Sequence, residues 1–174
     1  MASERVRSVG IVGARGYAGA ELIALIAQHP GLRLAFAASR SQAGEPVPGV
    51  HGARFIDADP DAVARQGADA VVLAVPDGAT GPYLAAMAGA VVVDLSADHR
   101  FEDGWAYGLP EHFGEALRGA TRIANPGCYA TAVQLAARPL LGLLDGAVHA
   151  FGVSGYSGAG TTPSPRNDPV LLSD

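Results

Sequence analysis

Two spacings of apolar residues alternate along this chain. Short runs are apolar at nearly every position, and between them apolar residues recur every three or four positions. The first kind predicts strands buried on both faces, the second amphipathic helices. Residues 6–12 (VRSVGIV) predict a strand, and 21–28 (ELIALIAQ) a helix with Leu22, Leu25 and Ile26 on one face, stopped by Pro30-Gly31. A second strand follows at 32–38. A helix is expected over 59–66, with Asp59 as its cap and Pro60 in its first turn. Strands at 68–76 and 90–96 flank a helix at 79–88 that carries a Gly-Pro irregularity. A weaker strand at 121–126 leads into a helix over 128–144, broken near Pro139, and another strand is expected at 147–155.

Strands apolar on both faces that alternate with helices specify an α/β fold. The expected architecture is a doubly wound, Rossmann-like, mostly parallel sheet covered by helices on both faces. The segment 41–52 (SQAGEPVPGVHG) reads as a surface loop, and GYSGAGTTPSPRNDP, from Gly155, as a long loop without periodicity.

Composition narrows the function. The chain has 174 residues, 49% hydrophobic and 17% charged, with a net charge of −5 and no basic run. This disfavours a disordered chain and a nucleic-acid partner. No apolar stretch approaches the ~20 residues of a membrane span, and the apolar run near the N-terminus is too short for a signal peptide. One cysteine rules out an internal disulfide and a cysteine-based zinc site, and no metal is expected. A reducing cytoplasm, which keeps that thiol free, is the expected location.

Between the first strand and the first helix stands Gly13-Ala14-Arg15-Gly16-Tyr17-Ala18-Gly19. Glycines there let a backbone approach a pyrophosphate seated on the helix N-terminus. At the end of the second strand an NAD-preferring site carries an acidic residue for the ribose hydroxyls. This chain has Ser39, Arg40 and Ser41 instead, which suit a 2′-phosphate, so the expected cofactor is NADP(H).

The single cysteine, Cys128, follows Asn125-Pro126-Gly127 and opens the next helix. It falls at the C-terminal end of a strand, where such sheets place their sites, and helix N-termini favour a thiolate. A nucleophilic thiol beside a nicotinamide predicts covalent acyl chemistry coupled to hydride transfer.

Five segments, in order, carry a specific resemblance: GARGYAGAEL, VDLSADHRF, YGLPE, NPGCYAT and GVSGYSGAGTTPSPRNDP. Together the chain resembles the N-acetyl-γ-glutamyl-phosphate reductases of arginine biosynthesis. The aspartate-semialdehyde dehydrogenases are similar, with Asn in place of Gly before the cysteine.

The resemblance implies NADPH-dependent reductive dephosphorylation of an acyl phosphate, with Cys128 as nucleophile. It implies a small-molecule substrate and homo-oligomeric full-length proteins. It places Pro76, Ser157 and Gly158 on the cofactor side, and Ser96, Arg100, Tyr107, Glu111, Asn125, Ser154 and Gly155 toward substrate. Arg100 is the expected phosphate contact, the alternative being an ion pair with Asp98 or Glu102.

Family members are longer. Residues 1–150 are therefore expected to form the NADP-binding domain with its cysteine, and 151–174 the start of a catalytic and dimerisation α+β domain. That second domain supplies the family's histidine base. None of His29, His51, His99, His112 and His149 stands in its place, although His99 and His112 lie near the expected site. The alternatives left open are an NADP-binding module without turnover, a cysteine hydrolase or acyltransferase, and the related reductase that acts on carrier-linked aminoadipyl phosphate.

Overall fold

The computed structural model describes residues 5–87, 89–161 and 168. Its chain divides into two compact units, Met1–Pro126 and Gly127–Asp174. The sequence reading put the division near residue 150; the structure puts it just ahead of Cys128.

The first unit runs β1 (Arg7–Val12), α1 (Tyr17–Gln28), β2 (Leu32–Ala38), α2 (Pro60–Ala64), β3 (Ala70–Leu73), α3 (Gly81–Ala86), β4 (Val91–Asp94), β5 (Ala106–Tyr107), α4 (Pro110–Leu117) and β6 (Arg122–Ala124). The strands form one sheet in the order β2-β1-β3-β4-β6-β5, and every pairing is parallel. The expected doubly wound α/β fold is borne out. From β1 the chain goes to one side for β2 and to the other for β3, so the order reverses beside β1. In such sheets a ligand crevice opens at that reversal, beyond the strands' C-terminal ends.

Alternation along the strands divides the core between the two faces of the sheet. Val9, Ile11 and Ala37 share one face with Ile23 and Ile26 of α1. Val12, Ala38, Val71, Leu73 and Val92 share the other with Val63 of α2 and Tyr83 of α3. The β1–β2 register carries a bulge: Val9 pairs with Leu34, yet Gly10 pairs with Phe36. Asp59 caps α2 as expected, its side chain accepting from the Ala62 amide.

One reading of this unit is refined, and two elements go unannounced in the sequence. The loop 41–52 is not wholly superficial: Val47 is buried beside Phe55, and Pro46 bridges Arg54. Strand β5 and helix α4 were not anticipated. Two residues make too short a strand to leave a pattern, and α4 buries no residue and is kinked at Phe113.

In the second unit the expected long helix is α5 (Cys128–Ala137), followed by a 3₁₀ turn over Arg138–Leu140. Pro139 has no N–H to continue the α ladder. The strand expected over 147–155 is absent; those residues pair with no strand among the described residues. A second 3₁₀ turn covers Tyr156–Ala159. The expected loop from Gly155 lies partly, and the chain end VLLSD wholly, outside the described residues.

Candidate active site

The glycine turn is built by contact. Gly13 has φ of +79°, and a Cβ there would land on the carbonyl of Ala74. At Gly19 a Cβ would stand 2.6 Å from both the Ala14 Cα and the Gly13 oxygen. The turn therefore packs backbone on backbone, Gly19 of α1 against Gly13 and Ala14, and Gly13 against Ala74. Ala38 accepts from the amides of Gly13 and Ala14, and Gly13 from that of Gly16. Gly16 caps α1 without a side-chain bond, so no cap side chain satisfies the first-turn amides of Tyr17, Ala18 and Gly19. A close-packed glycine cradle under a bare helix N-terminus fits a dinucleotide pyrophosphate.

The structure brings this turn to the end of β2. The Arg15 guanidinium donates to the Ser41 hydroxyl at 2.9 Å. Ser39 is buried, its amide bonded to the Ile56 carbonyl, while Arg40 is exposed and forms no ion pair among the described residues. Pro76 is exposed, two residues beyond Ala74.

Beyond β4 lies a denser network, which sequence reasoning largely missed. Asp94 is fully buried and accepts from the Ser96 amide and hydroxyl at 2.9 and 2.8 Å. His99 Nδ1 reaches the same carboxylate at 2.7 Å, Nε2 lies 3.4 Å from Glu102, and the ring stacks on Trp105 with centroids 4.1 Å apart. The Ser96 hydroxyl also accepts from the Asp98 amide at 3.2 Å. Arg100 forms no ion pair with Asp98 or Glu102. It donates from Nε to the Asn125 carbonyl at 3.0 Å and from Nη2 to the Leu95 carbonyl at 3.3 Å.

Two acidic side chains tie this loop to the one after β3. Asp77 accepts from the Ala97 amide at 2.8 Å. Asp98 accepts from the Gly78 amide at 2.9 and 2.8 Å and from the Thr80 hydroxyl at 3.0 Å. These donors, the Gly78 amide first, hold Asp98 below its ordinary pKa of 3.8. Carboxylates clustered just past a buried strand were the available signal.

Tyr107 stacks near Phe101 and meets Phe113 edge-on, and Glu111 is exposed in the first turn of α4. Both nitrogens of His99 face carboxylates, and Nε2 of His112 is buried without a partner.

In the second unit Cys128 is an exposed free thiol at the first residue of α5, whose cap, Gly127, makes no side-chain bond. The Gly127 carbonyl takes both the amide and the hydroxyl of Thr131. Ser154, Gly155, Ser157 and Gly158 lie together around the second 3₁₀ turn, with the Gly158 amide donating to the Gly155 carbonyl at 3.0 Å. Among the described residues no cluster of three or more His, Cys, Asp or Glu could hold a metal, and no helix is long and apolar enough to cross a membrane.

A parallel sheet whose order reverses over a glycine cradle defines a dinucleotide-binding α/β protein. The chain belongs to the semialdehyde dehydrogenase family: residues 8–120 match the model of its NAD binding domain and 128–174 that of its dimerisation domain. It is 54% identical over 176 aligned positions to the N-acetyl-gamma-glutamyl-phosphate reductase of Stenotrophomonas maltophilia, a match covering 96% of this chain and 56% of that protein. The enzyme of the same name from Xanthomonas axonopodis pv. citri is 52% identical, covering 97% of this chain and 56% of the relative. The chain thus spans little more than half the length of these relatives, and the resemblance read from the motifs is borne out.

Solved structures agree on the fold. Aspartate semialdehyde dehydrogenase II from Vibrio cholerae superposes with a TM-score of 0.68 at 21% identity, covering 91% of this chain and 49% of that one. The Candida albicans enzyme, determined with NADP, gives 0.62 at 18% identity, covering 79% and 47%.

Proposed function

We propose that this chain is the cofactor-binding, cysteine-bearing part of an NADPH-dependent reductase that converts N-acetyl-γ-glutamyl phosphate to N-acetylglutamate semialdehyde and phosphate. The observation that carries the reading is the 54% identity to such a reductase across nearly the whole chain. A lone exposed cysteine at the start of a helix supports it.

In this reading the glycine turn from Gly13 to Gly19 receives the pyrophosphate, and Ser39, Arg40 and Ser41 read the 2′-phosphate. Pro76, Ser157 and Gly158 are the further residues assigned to the cofactor. The bound cofactor supplies a hydride. The Cys128 thiolate attacks the acyl carbon, a C–S bond forms, the C–O bond to phosphate breaks, and phosphate departs with both electrons of that bond. That hydride would reduce the thioester held on Cys128; the C–S bond would then break, releasing the aldehyde and restoring the thiolate. One NADPH and one proton are consumed per acyl phosphate.

Arg100 binds the phosphate, for which a guanidinium is well shaped. Asn125, Tyr107, Glu111, Ser154 and Gly155 border the substrate. Ser96 assists Arg100 on the substrate side, from a position held by its bonds to Asp94. A homo-oligomer and a cytoplasmic location belong to the same reading: residues 128–174 match a dimerisation domain, and a reducing compartment keeps Cys128 reduced.

The test pairs NADPH oxidation in the presence of N-acetyl-γ-glutamyl phosphate with an NADPH-binding titration, for wild type and Cys128→Ser. The expected outcome is turnover that the substitution abolishes while binding stays intact. Turnover that survives in Cys128→Ser would refute the covalent route. Oxidation only with a carrier-linked aminoadipyl phosphate would reassign the substrate.

A further inference from the structure

The loops that follow β3 and β4 are locked to each other by a reciprocal exchange. Each sends one carboxylate to the backbone of the other: Asp77 to the Ala97 amide, and Asp98 to the Gly78 amide with the Thr80 hydroxyl. Asp98 is exposed, so water could satisfy it. Burial does not force this pairing; its effect is geometric.

What the exchange joins is specific. The loop after β3 begins at Ala74, whose carbonyl packs against Gly13 of the cofactor cradle, and continues through Pro76. The loop after β4 carries Arg100, two residues beyond Asp98. Arg100 is aimed by the Asn125 and Leu95 carbonyls rather than by any carboxylate. The Leu95 carbonyl belongs to that same loop, so a shift of the loop turns the guanidinium.

We infer that Asp98 is a positioning residue: by gripping Gly78 and Thr80 it fixes where Arg100 stands relative to the cofactor cradle, and so how Arg100 meets the phosphate of the substrate. The inference rests on the proposed role of Arg100. Asp98 itself touches neither substrate nor cofactor. Asn at this position keeps the shape, but its amide group turns a donor toward one of the donors that Asp98 now receives.

A double-mutant cycle on the full-length protein tests it, with inorganic phosphate as the probe and Asp98→Asn, Arg100→Lys and the double variant compared with wild type. Asp98→Asn is expected to weaken phosphate binding about tenfold, the scale of a small misplacement. Its NADPH dissociation constant should stay within about twofold of wild type, since the cradle is untouched. In the Arg100→Lys background the same change should cost nearly nothing, because the two act through one contact. Thr80→Val, which removes only the hydroxyl, should weaken phosphate in the same direction but less. It carries the cycle if Asp98→Asn does not fold.

Additive effects, or equal losses of phosphate and NADPH, would mark Asp98 as merely structural and overturn the inference. A wild-type protein that binds no inorganic phosphate would overturn it together with the role of Arg100. Turnover of N-acetyl-γ-glutamyl phosphate by the same wild type keeps the two questions apart. Turnover with additive phosphate effects sinks only the positioning role. Coupled phosphate effects without turnover sink the proposed reaction and leave the link between Asp98 and Arg100 standing.

Discussion

His99 Nδ1 lies 2.7 Å from Oδ2 of Asp94, a side chain with no solvent exposure. A carboxylate only accepts, so Nδ1 carries the hydrogen. Replacing His99 with Ala removes that donor and the ring stacked on Trp105, and leaves a buried charge under-satisfied. The expected loss is about 2 kcal/mol, in the range of hydrogen bonds to charged groups. Urea denaturation of His99→Ala measures it; a midpoint equal to that of wild type would show that water replaces the ring without cost.

Gly13→Ala should be among the most damaging single changes in the first unit. It adds a Cβ where φ is +79° and aims it at the Ala74 carbonyl. Backbone strain and the clash together cost about 3 kcal/mol. Because the cradle must open to admit the methyl group, NADPH binding should fall as well. A thermal melt and a fluorescence titration read the two losses separately.

Asp69 sits at the opposite end of the sheet from the crevice. Its carboxylate accepts from the Ser8 amide at 2.8 Å and the Ser8 hydroxyl at 2.7 Å, with Arg7 at 3.3 Å. These bonds, the Ser8 amide first, hold its pKa at about 2 against an ordinary 3.8. A carboxylate whose folded pKa is depressed contributes stability above its unfolded pKa, lost as pH falls through the folded value. Asp69→Asn should therefore lower the melting temperature at neutral pH. The gap to wild type should shrink below pH 3.8 and close near pH 2. A gap that is constant down to that pH would locate the loss in packing instead.

Arg40 is exposed at the end of β2, with the Arg15–Ser41 bond beside it in sequence. If it reads a 2′-phosphate, Arg40→Ala should weaken NADPH roughly tenfold, the scale of one charge-assisted hydrogen bond. NADH, which lacks that phosphate, should bind the variant and wild type alike. Parallel titrations with the two nucleotides decide the matter; equal losses would remove Arg40 from cofactor selection.

The parts of this protein that announced themselves in sequence are those where one kind of residue does one physical job. Runs such as Ala70–Leu73 are apolar because both faces of a parallel strand are covered, and the cradle needs glycine for want of space. The network around Asp94 stayed hidden because its members meet through tertiary placement. Asp94 and His99 are five positions apart, and nothing in that spacing tells a buried carboxylate from a solvated one. The strand expected over 147–155 shows the reverse failure. AVHAFGVSG has a strand's composition, but a strand exists only where another pairs with it.

The bulge in the β1–β2 pairing bears on which changes of length the chain can accept. On β2, Ala35 and Phe36 both pack toward the α2–α3 face, so this strand holds one residue more than its partner over the same stretch. Deleting Ala35 should therefore leave a regular ladder: Leu34 stays opposite Val9, Phe36 opposite Gly10, and Ala37 and Ala38 keep their sides. Deleting Ala37 instead would invert every residue on one side of the gap, turning buried positions to the wrong face. A frame-preserving codon-deletion scan across 32–38 should find a single tolerated gap there, because β2 carries its own spare link.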